Sequence, residues 1–276
     1  MEMHNILLIA RKELRDSLKN RWFLLYTISF TLLTPLLARV SMADTQISGV
    51  SGFGRTTAGM VNLILMIVPL MGLTTGAGSI AGERERGTLA YLLSQPVYRS
   101  EILLGKFLGL WAATALALLL GFAASAVMIV GQGSAEAIWG FVRLAGFTAL
   151  LAAAMIALGL FISAISRRTS VATGIAVFLW LLLVLVSDLG LMSAVMAFHV
   201  RVETLFYLTT ANPLEAFKLS VLGSIHSSLD VLGPAGLFAT QTYGTWLPWI
   251  FVGALLAWII GPLVAAQACL SGTGEA

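Results

Sequence analysis

The sequence predicts an all-α integral membrane protein with six transmembrane helices, and three observations predict it. Of the 276 residues, 58% are hydrophobic and only 11% are charged, against roughly 25% charged in a soluble domain. A globule of this size could not cover its surface with so few charges, whereas lipid needs no polar coat. Six apolar segments have the ~20 residues that a spanning helix requires: 22–40, 58–80, 103–130, 141–165, 171–189 and 246–268. The third observation is where the Lys and Arg residues fall. Arg11, Lys12, Arg15, Lys19 and Arg21 precede the first segment, Arg84, Arg86, Arg99 and Lys106 link the second to the third, and Arg167 and Arg168 link the fourth to the fifth. The other side has Arg39, Arg55, Arg143, Arg201 and Lys218. The richer side is therefore cytoplasmic, with both termini on it.

In residues 1–21, Ile6, Ala10, Leu14, Leu18 and Trp22 recur every four residues, with charges on the remaining faces. That is an amphipathic helix. It either rests at the cytoplasmic headgroups or serves there as an elbow bearing on a cytoplasmic partner; the sequence favours neither. Ser41-Met42-Ala43 has the form of a signal-peptide cleavage site, but Glu13 and Asp16 precede an apolar run longer than a signal core. An anchored first span is expected. Charges inside the windows are Arg39, Lys106, Arg143 and Asp188, all near an end. Such side chains are expected to reach the interface by extending along the helix. Gly72-x-x-x-Gly76, Gly78-x-x-x-Gly82 and Gly105-x-x-x-Gly109 would let helices approach closely.

Residues 82–102 are the most informative stretch. A span ends at Gly82 and the charges Glu83, Arg84, Glu85 and Arg86 follow, then Gly87 and Thr88. A short helix carrying Leu89, Leu92 and Leu93 is broken by Pro96, and Ser100 with Glu101 can start a helix that runs into the third span. With charges facing water and leucines facing the bundle, this would be a rigid lever joined to two spans. The plainer reading is an interfacial loop with positive-inside charge.

Gly-Glu-Arg-Glu-Arg-Gly-Thr-Leu (82–89), followed by Leu-Leu-Ser-x-Pro-Val-x-Arg-x-Glu-Ile-Leu-Leu-Gly-Lys (92–106), resembles the coupling region of type-2 ABC exporter permeases. The resemblance is close over 82–106 and loose over the whole six-span plan. It implies that Glu83, Arg84, Glu85, Arg86, Gly87 and Thr88 contact a separate cytoplasmic ATPase subunit, which binds the ATP and Mg²⁺, and that this chain binds no cofactor. It also implies a dimer with a second copy of the chain, since two ATPases need two levers, in the inner membrane of a bacterium. Thr210-Ala211-Asn212-Pro213-Leu214-Glu215-Ala216-Phe217-Lys218-Leu219-Ser220 is similar to one branch of that family. These are the membrane subunits of ABC systems that mature the copper sites of nitrous oxide reductase. That likeness implies a periplasmic maturation protein and copper-handling proteins as partners.

The outer connection, 190–245, is 56 residues long, and loops of that length are usually functional or structured. Its apolar residues predict short helices packed on the outer face of the bundle. Asn212, Pro213, Glu215 and Phe217 are candidates for docking the periplasmic partner; a simple cap over the spans is the other reading. Ser166-Arg167-Arg168-Thr169 reads as a tight cytoplasmic turn, with Arg167 and Arg168 as a second, smaller ATPase contact.

Other chemistry finds little footing. The chain has no phosphate-cradling Gly-x-x-x-x-Gly-Lys-Ser/Thr loop and no Gly-x-Ser-x-Gly elbow, so no ATP site and no hydrolase are expected. Cys269 is the only cysteine, which excludes an intrachain disulfide. Met192, Met196 and His199 share one helical face, and thioether with imidazole suits Cu(I), but methionine is an ordinary gap filler and packing is the expected role. His226 with Asp230 reads as a surface pair. A net charge of +3 is spread between the apolar blocks, so no nucleic acid is expected. A permease of another type-2 exporter (drug, lipid or haem-related) would share these features. An autonomous secondary transporter or structural anchor would share the composition, though no internal repeat supports a transporter.

Overall fold

The computed structural model describes residues 3–48, 52–89, 97–130, 135–187, 202–225 and 242–272. Among them are nine labelled helices: α1 (Met3–Lys19), α2 (Arg21–Ser48), α3 (Gly52–Glu85), α4 (Arg99–Val130), α5 (Ala135–Ile165), α6 (Thr169–Leu185), α7 (Val202–Ala211), α8 (Pro213–Ile225) and α9 (Leu247–Gly272). Four stretches are long and apolar enough to cross a membrane: Gly59–Glu85, Arg99–Val127, Trp139–Ile165 and Leu247–Ser271. Two shorter helical stretches, Arg21–Leu37 and Thr169–Leu185, are also apolar. The span of α5 is 78% buried against 17% for that of α9, and α5 packs against α3, α4, α6, α8 and α9, while α1 and α2 pack on α4.

Glycines set the tightest contacts. A Cβ on Gly76 would stand 2.7 Å from the Ile156 carbonyl oxygen, and one on Gly159 would stand 2.6 Å from that of Leu73. Helices α3 and α5 therefore touch backbone to backbone. Gly105 and Gly109 do the same for α1 on α4, where added Cβ atoms would fall 2.7 Å from the Ile9 Cβ and 2.5 Å from the Ala10 carbonyl oxygen. The third pair differs from expectation: a Cβ on Gly78 or Gly82 would meet nothing closer than 4.0 and 3.4 Å respectively, and side chains only. Ser163 adds a polar stitch between α3 and α5. Its hydroxyl accepts from the Ile80 and Ala81 amides at 2.9 and 2.7 Å and donates to the Ala77 carbonyl at 2.7 Å. Phe30, Phe122 and Phe141 join α2, α4 and α5 through two edge-to-face contacts with centroids 5.6 and 5.4 Å apart.

Helix α1 is amphipathic, but its apolar stripe does not face the bundle as a unit. Ile6 is buried, Leu18 and Trp22 are exposed, and Glu13 and Ser17 occupy buried positions. The Gly105–Gly109 groove fixes this azimuth by admitting Ile9 and Ala10, which turns Glu13 inward.

Short helices do form in the outer connection, yet α8 enters the bundle. Asn212 caps α8 by accepting from the Leu214 amide at 3.0 Å, ahead of Pro213 at the first helical position. Its Nδ2 donates to the Leu183 carbonyl at 3.1 Å, and the Trp258 indole donates to the Ala211 carbonyl at 3.0 Å. Trp258 lies 11 residues from Leu247, the start of α9, or about 16 Å along the helix. The α7–α8 corner thus sits inside the helix bundle. Asn212, Pro213, Glu215 and Phe217 are all buried, and Glu215 is held by Ser187 and Lys218. They anchor α8 and, as placed, offer no docking surface, because capping and core packing use them. Met192, Met196, His199, Asp188, His226 and Asp230 lie outside the described residues.

Candidate functional site: the charged end of α3

The site is built at the C-terminal end of α3. The helix runs through the Gly-Glu-Arg-Glu sequence and stops where Gly87 takes φ +73°. The Arg86 amide reaches the Gly82 carbonyl at 3.2 Å and the Gly87 amide reaches that of Arg84 at 3.1 Å, the closing pattern a left-handed residue allows. Nothing lies within 4 Å of a Cβ built on Gly87, so Gly87→Ala strains the backbone alone. It is expected to cost about 1–2 kcal/mol, read as a lower thermal midpoint in detergent; an unchanged midpoint would show that the turn can rearrange. Thr88 and Leu89 resume a helical turn, and 90–96, with Leu92, Leu93 and Pro96, lies outside the described residues. Helix α4 restarts at Arg99, where the Glu101 carboxylate takes the Tyr98 amide and the Asn5 side chain from α1.

Glu83 does not face water. It is 5% exposed and accepts from Lys12 on α1 at 2.7 Å, with the Lys106 ammonium of α4 2.9 Å from its other oxygen. Lys106, 1% exposed, also donates to Glu13 at 2.6 Å and to Ser79 at 3.3 Å. It therefore does not extend to the interface: with two carboxylates and a hydroxyl in reach, the ammonium is satisfied where it stands. Two cations and two anions on α1, α3 and α4 make a neutral quartet. A polar cavity of about 360 Å³, lined by residues including Asp16, Asn20, Thr75, Ser79 and Arg86, opens beside it, so the Lys12 side is wet and the Lys106 side dry. Burial opposes the charge on Lys12, but Glu83, Glu13 and Asp16 outweigh it and hold its pKa above the ordinary value. Lys12 therefore carries its charge at neutral pH, and its side of the contact is lost as pH rises through that raised value.

The neighbouring charges grip helix ends. Arg84 donates to the Ala164 and Ser166 carbonyls at 3.1 and 2.6 Å, at the exit of α5. Glu85 accepts from the Thr169 amide at 3.0 Å, at the entry of α6. Arg99 donates to the Leu270 and Ser271 carbonyls at the end of α9. Of the six motif residues, Arg86, Gly87 and Thr88 are exposed together with Glu85, and Arg167 and Arg168 are exposed in the next turn. Sequence reasoning read Glu83 as solvated and missed Lys12 and Lys106 as its partners, with Glu13 as the second acid of the group. The available signals were a lysine set inside an apolar run and an acid on the face of α1 that meets α4.

Residues 7–270 match the family model described as ABC-2 family transporter protein. The chain belongs to the ABC-2 transporter family. Two curated relatives bear the name "Probable ABC transporter permease protein NosY". The one from Stutzerimonas stutzeri is 33% identical over 272 residues, 96% of this chain and 98% of its own. The one from Pseudomonas aeruginosa PAO1 is 34% identical over 258 residues, 90% of this chain and 94% of its own. The ABC-2 assignment covers every helix of the site, from Leu7 in α1 to Leu270 in α9. The resemblance read from residues 82–106 and 210–220 is thereby carried over residues 7–270.

Proposed function

We propose that this chain is the membrane subunit of an ABC transporter whose separate cytoplasmic ATPase binds ATP and Mg²⁺ and drives the coupling segment 82–102. The observation that supports this best is the turn at Arg86–Thr88, exposed yet bonded through Glu83 to α1 and α4. A partner pressing there would move α1, α3 and α4 together. In this reading α2 and α6 complete six spans, both termini are cytoplasmic, and the exposed apolar face of α6, with Phe178 at 64%, meets lipid or a second copy in a homodimer. The NosY names of the relatives, with the sequence at 210–220, favour a place in nitrous oxide reductase copper-site maturation in a bacterial inner membrane. A periplasmic maturation protein and copper-handling proteins are the further partners, and the periplasmic dock uses residues other than the buried Asn212, Pro213, Glu215 and Phe217. The output is export of a copper- or sulfur-related species or a mechanical change imposed on the periplasmic partner.

Purification in detergent tests the central claim. The ATPase chain should come with the wild type, and Arg86→Glu with Thr88→Glu should reduce its recovery by about tenfold or more, a loss of ~1.4 kcal/mol or more in affinity. The thermal midpoint should not change, because both side chains are exposed. A fully active particle without a nucleotide-hydrolysing companion would favour the autonomous transporter or anchor instead.

A further inference from the structure

We infer that Arg84 and Glu85 are positioning residues that clamp the α5–α6 turn to the coupling segment, so that its movement reaches α6 directly as well as α3 and α4. The inference rests on the ATP-driven reading above. Two adjacent side chains of α3 reach the two sides of one turn. Arg84 takes the Ala164 and Ser166 carbonyls where α5 ends, and Glu85 takes the Thr169 amide where α6 begins. The signs suit the helix ends, since a cation complements carbonyls left open at a C-terminus and an anion complements amides at an N-terminus. The need is specific on the α6 side. Its N-cap residue is Arg168, in extended conformation with no side-chain cap bond, and an Arg side chain has no acceptor to offer. Glu85 supplies from another helix the cap that the local sequence lacks.

The clamp also joins two cytoplasmic surfaces that are 80 residues apart in sequence. Arg86–Thr88 follows the clamp on α3, and Arg167–Arg168 lies between its two grips on the turn. A partner touching either would load both. Arg99 repeats the device at the other end of the segment by holding the last carbonyls of α9. Arg84 and Glu85 therefore face the membrane subunit's own helix ends, Glu83 faces α1 and α4, and Arg86, Gly87 and Thr88 are left for the partner.

The test uses the whole complex with its ATPase, in a Cys269→Ser background. Nitroxide labels are placed at Leu120→Cys on α4 and Val186→Cys after α6, both exposed positions, and the distance between them is read by pulsed electron paramagnetic resonance. The wild-type complex should change this distance between the nucleotide-free and vanadate-trapped states. Arg84→Gln with Glu85→Ala should lose more than half of that change in a complex that still holds its ATPase, and Arg84→Lys alone should keep it. A double variant that keeps the full change overturns the clamp. Should the double variant fail to assemble, Glu85→Ala alone decides: it sits at an exposed residue, and an undiminished distance change in it likewise overturns the inference. A wild-type complex that hydrolyses ATP with no distance change refutes delivery to α6 but leaves the ATPase partnership standing. Absence of any ATPase in the complex refutes the functional reading itself.

Discussion

Lys106→Met is expected to cost about 3–5 kcal/mol of stability, the range for breaking a buried ion pair by removing one partner. The methionine fills the volume, so the loss is electrostatic. Glu13 and Glu83 would remain 7% and 5% exposed, and Lys12, half in water, could neutralise only one of them. Against a total of about 5–15 kcal/mol for a folded protein, the loss should appear as a strongly lowered thermal midpoint in detergent or as failure to accumulate in the membrane. Neutralising the acids as well, with Glu13→Gln and Glu83→Gln added to Lys106→Met, should recover most of it, since a buried charge group replaced as a whole is often neutral to stability. A Lys106→Met protein that melts with the wild type would mean that the quartet is open to water.

The second large effect is expected at the α3–α5 contact. Gly159→Val should destabilise at or above the top of the 1–3 kcal/mol range for overpacking, because the atoms it meets are backbone. The Leu73 carbonyl oxygen would lie 2.6 Å and the Gly76 Cα 2.9 Å from the new Cβ, so relief requires α3 and α5 to separate and their shared core to open. Gly253→Val supplies the comparison. Nothing lies within 4 Å of a Cβ there, and about 1 kcal/mol or less is expected, with glycine's poor helix propensity on the favourable side. Equal thermal midpoints for the two variants would contradict the close approach.

Much of the fold was legible because apolar length is a one-dimensional property. Each of the six apolar windows overlaps a helix that runs on past it at one end or both, as α3 does from 58–80 out to Gly52–Glu85. The short helices α7 and α8 were legible for the same reason, and so was the use of Gly72, Gly76, Gly105 and Gly109. The direction in which a charge points was not legible. Lys106 near the end of an apolar run has the same local sequence whether it extends to the headgroups or turns inward, and what decides is Glu13, 93 residues away. Glu83 read as solvated because its neighbours are charged, but α3 presents it to α1 and α4, while Arg84 and Glu85 meet the α5–α6 turn. Asn212, Pro213, Glu215 and Phe217 read as candidates for docking a partner, but the sequence does not give the place of the α7–α8 corner, which Leu183 and Trp258 set from distant helices.

The Ser163 hydroxyl has a kinematic consequence. An oxygen from one rod occupies the hydrogen-bond ladder of another, with Ile80, Ala81 and Ala77 as its three correspondents. Spinning α3 about its long axis would break all three bonds at once, whereas leaning α3 and α5 over as a pair breaks none. Any stroke passing through this point is therefore constrained to rock rather than twist.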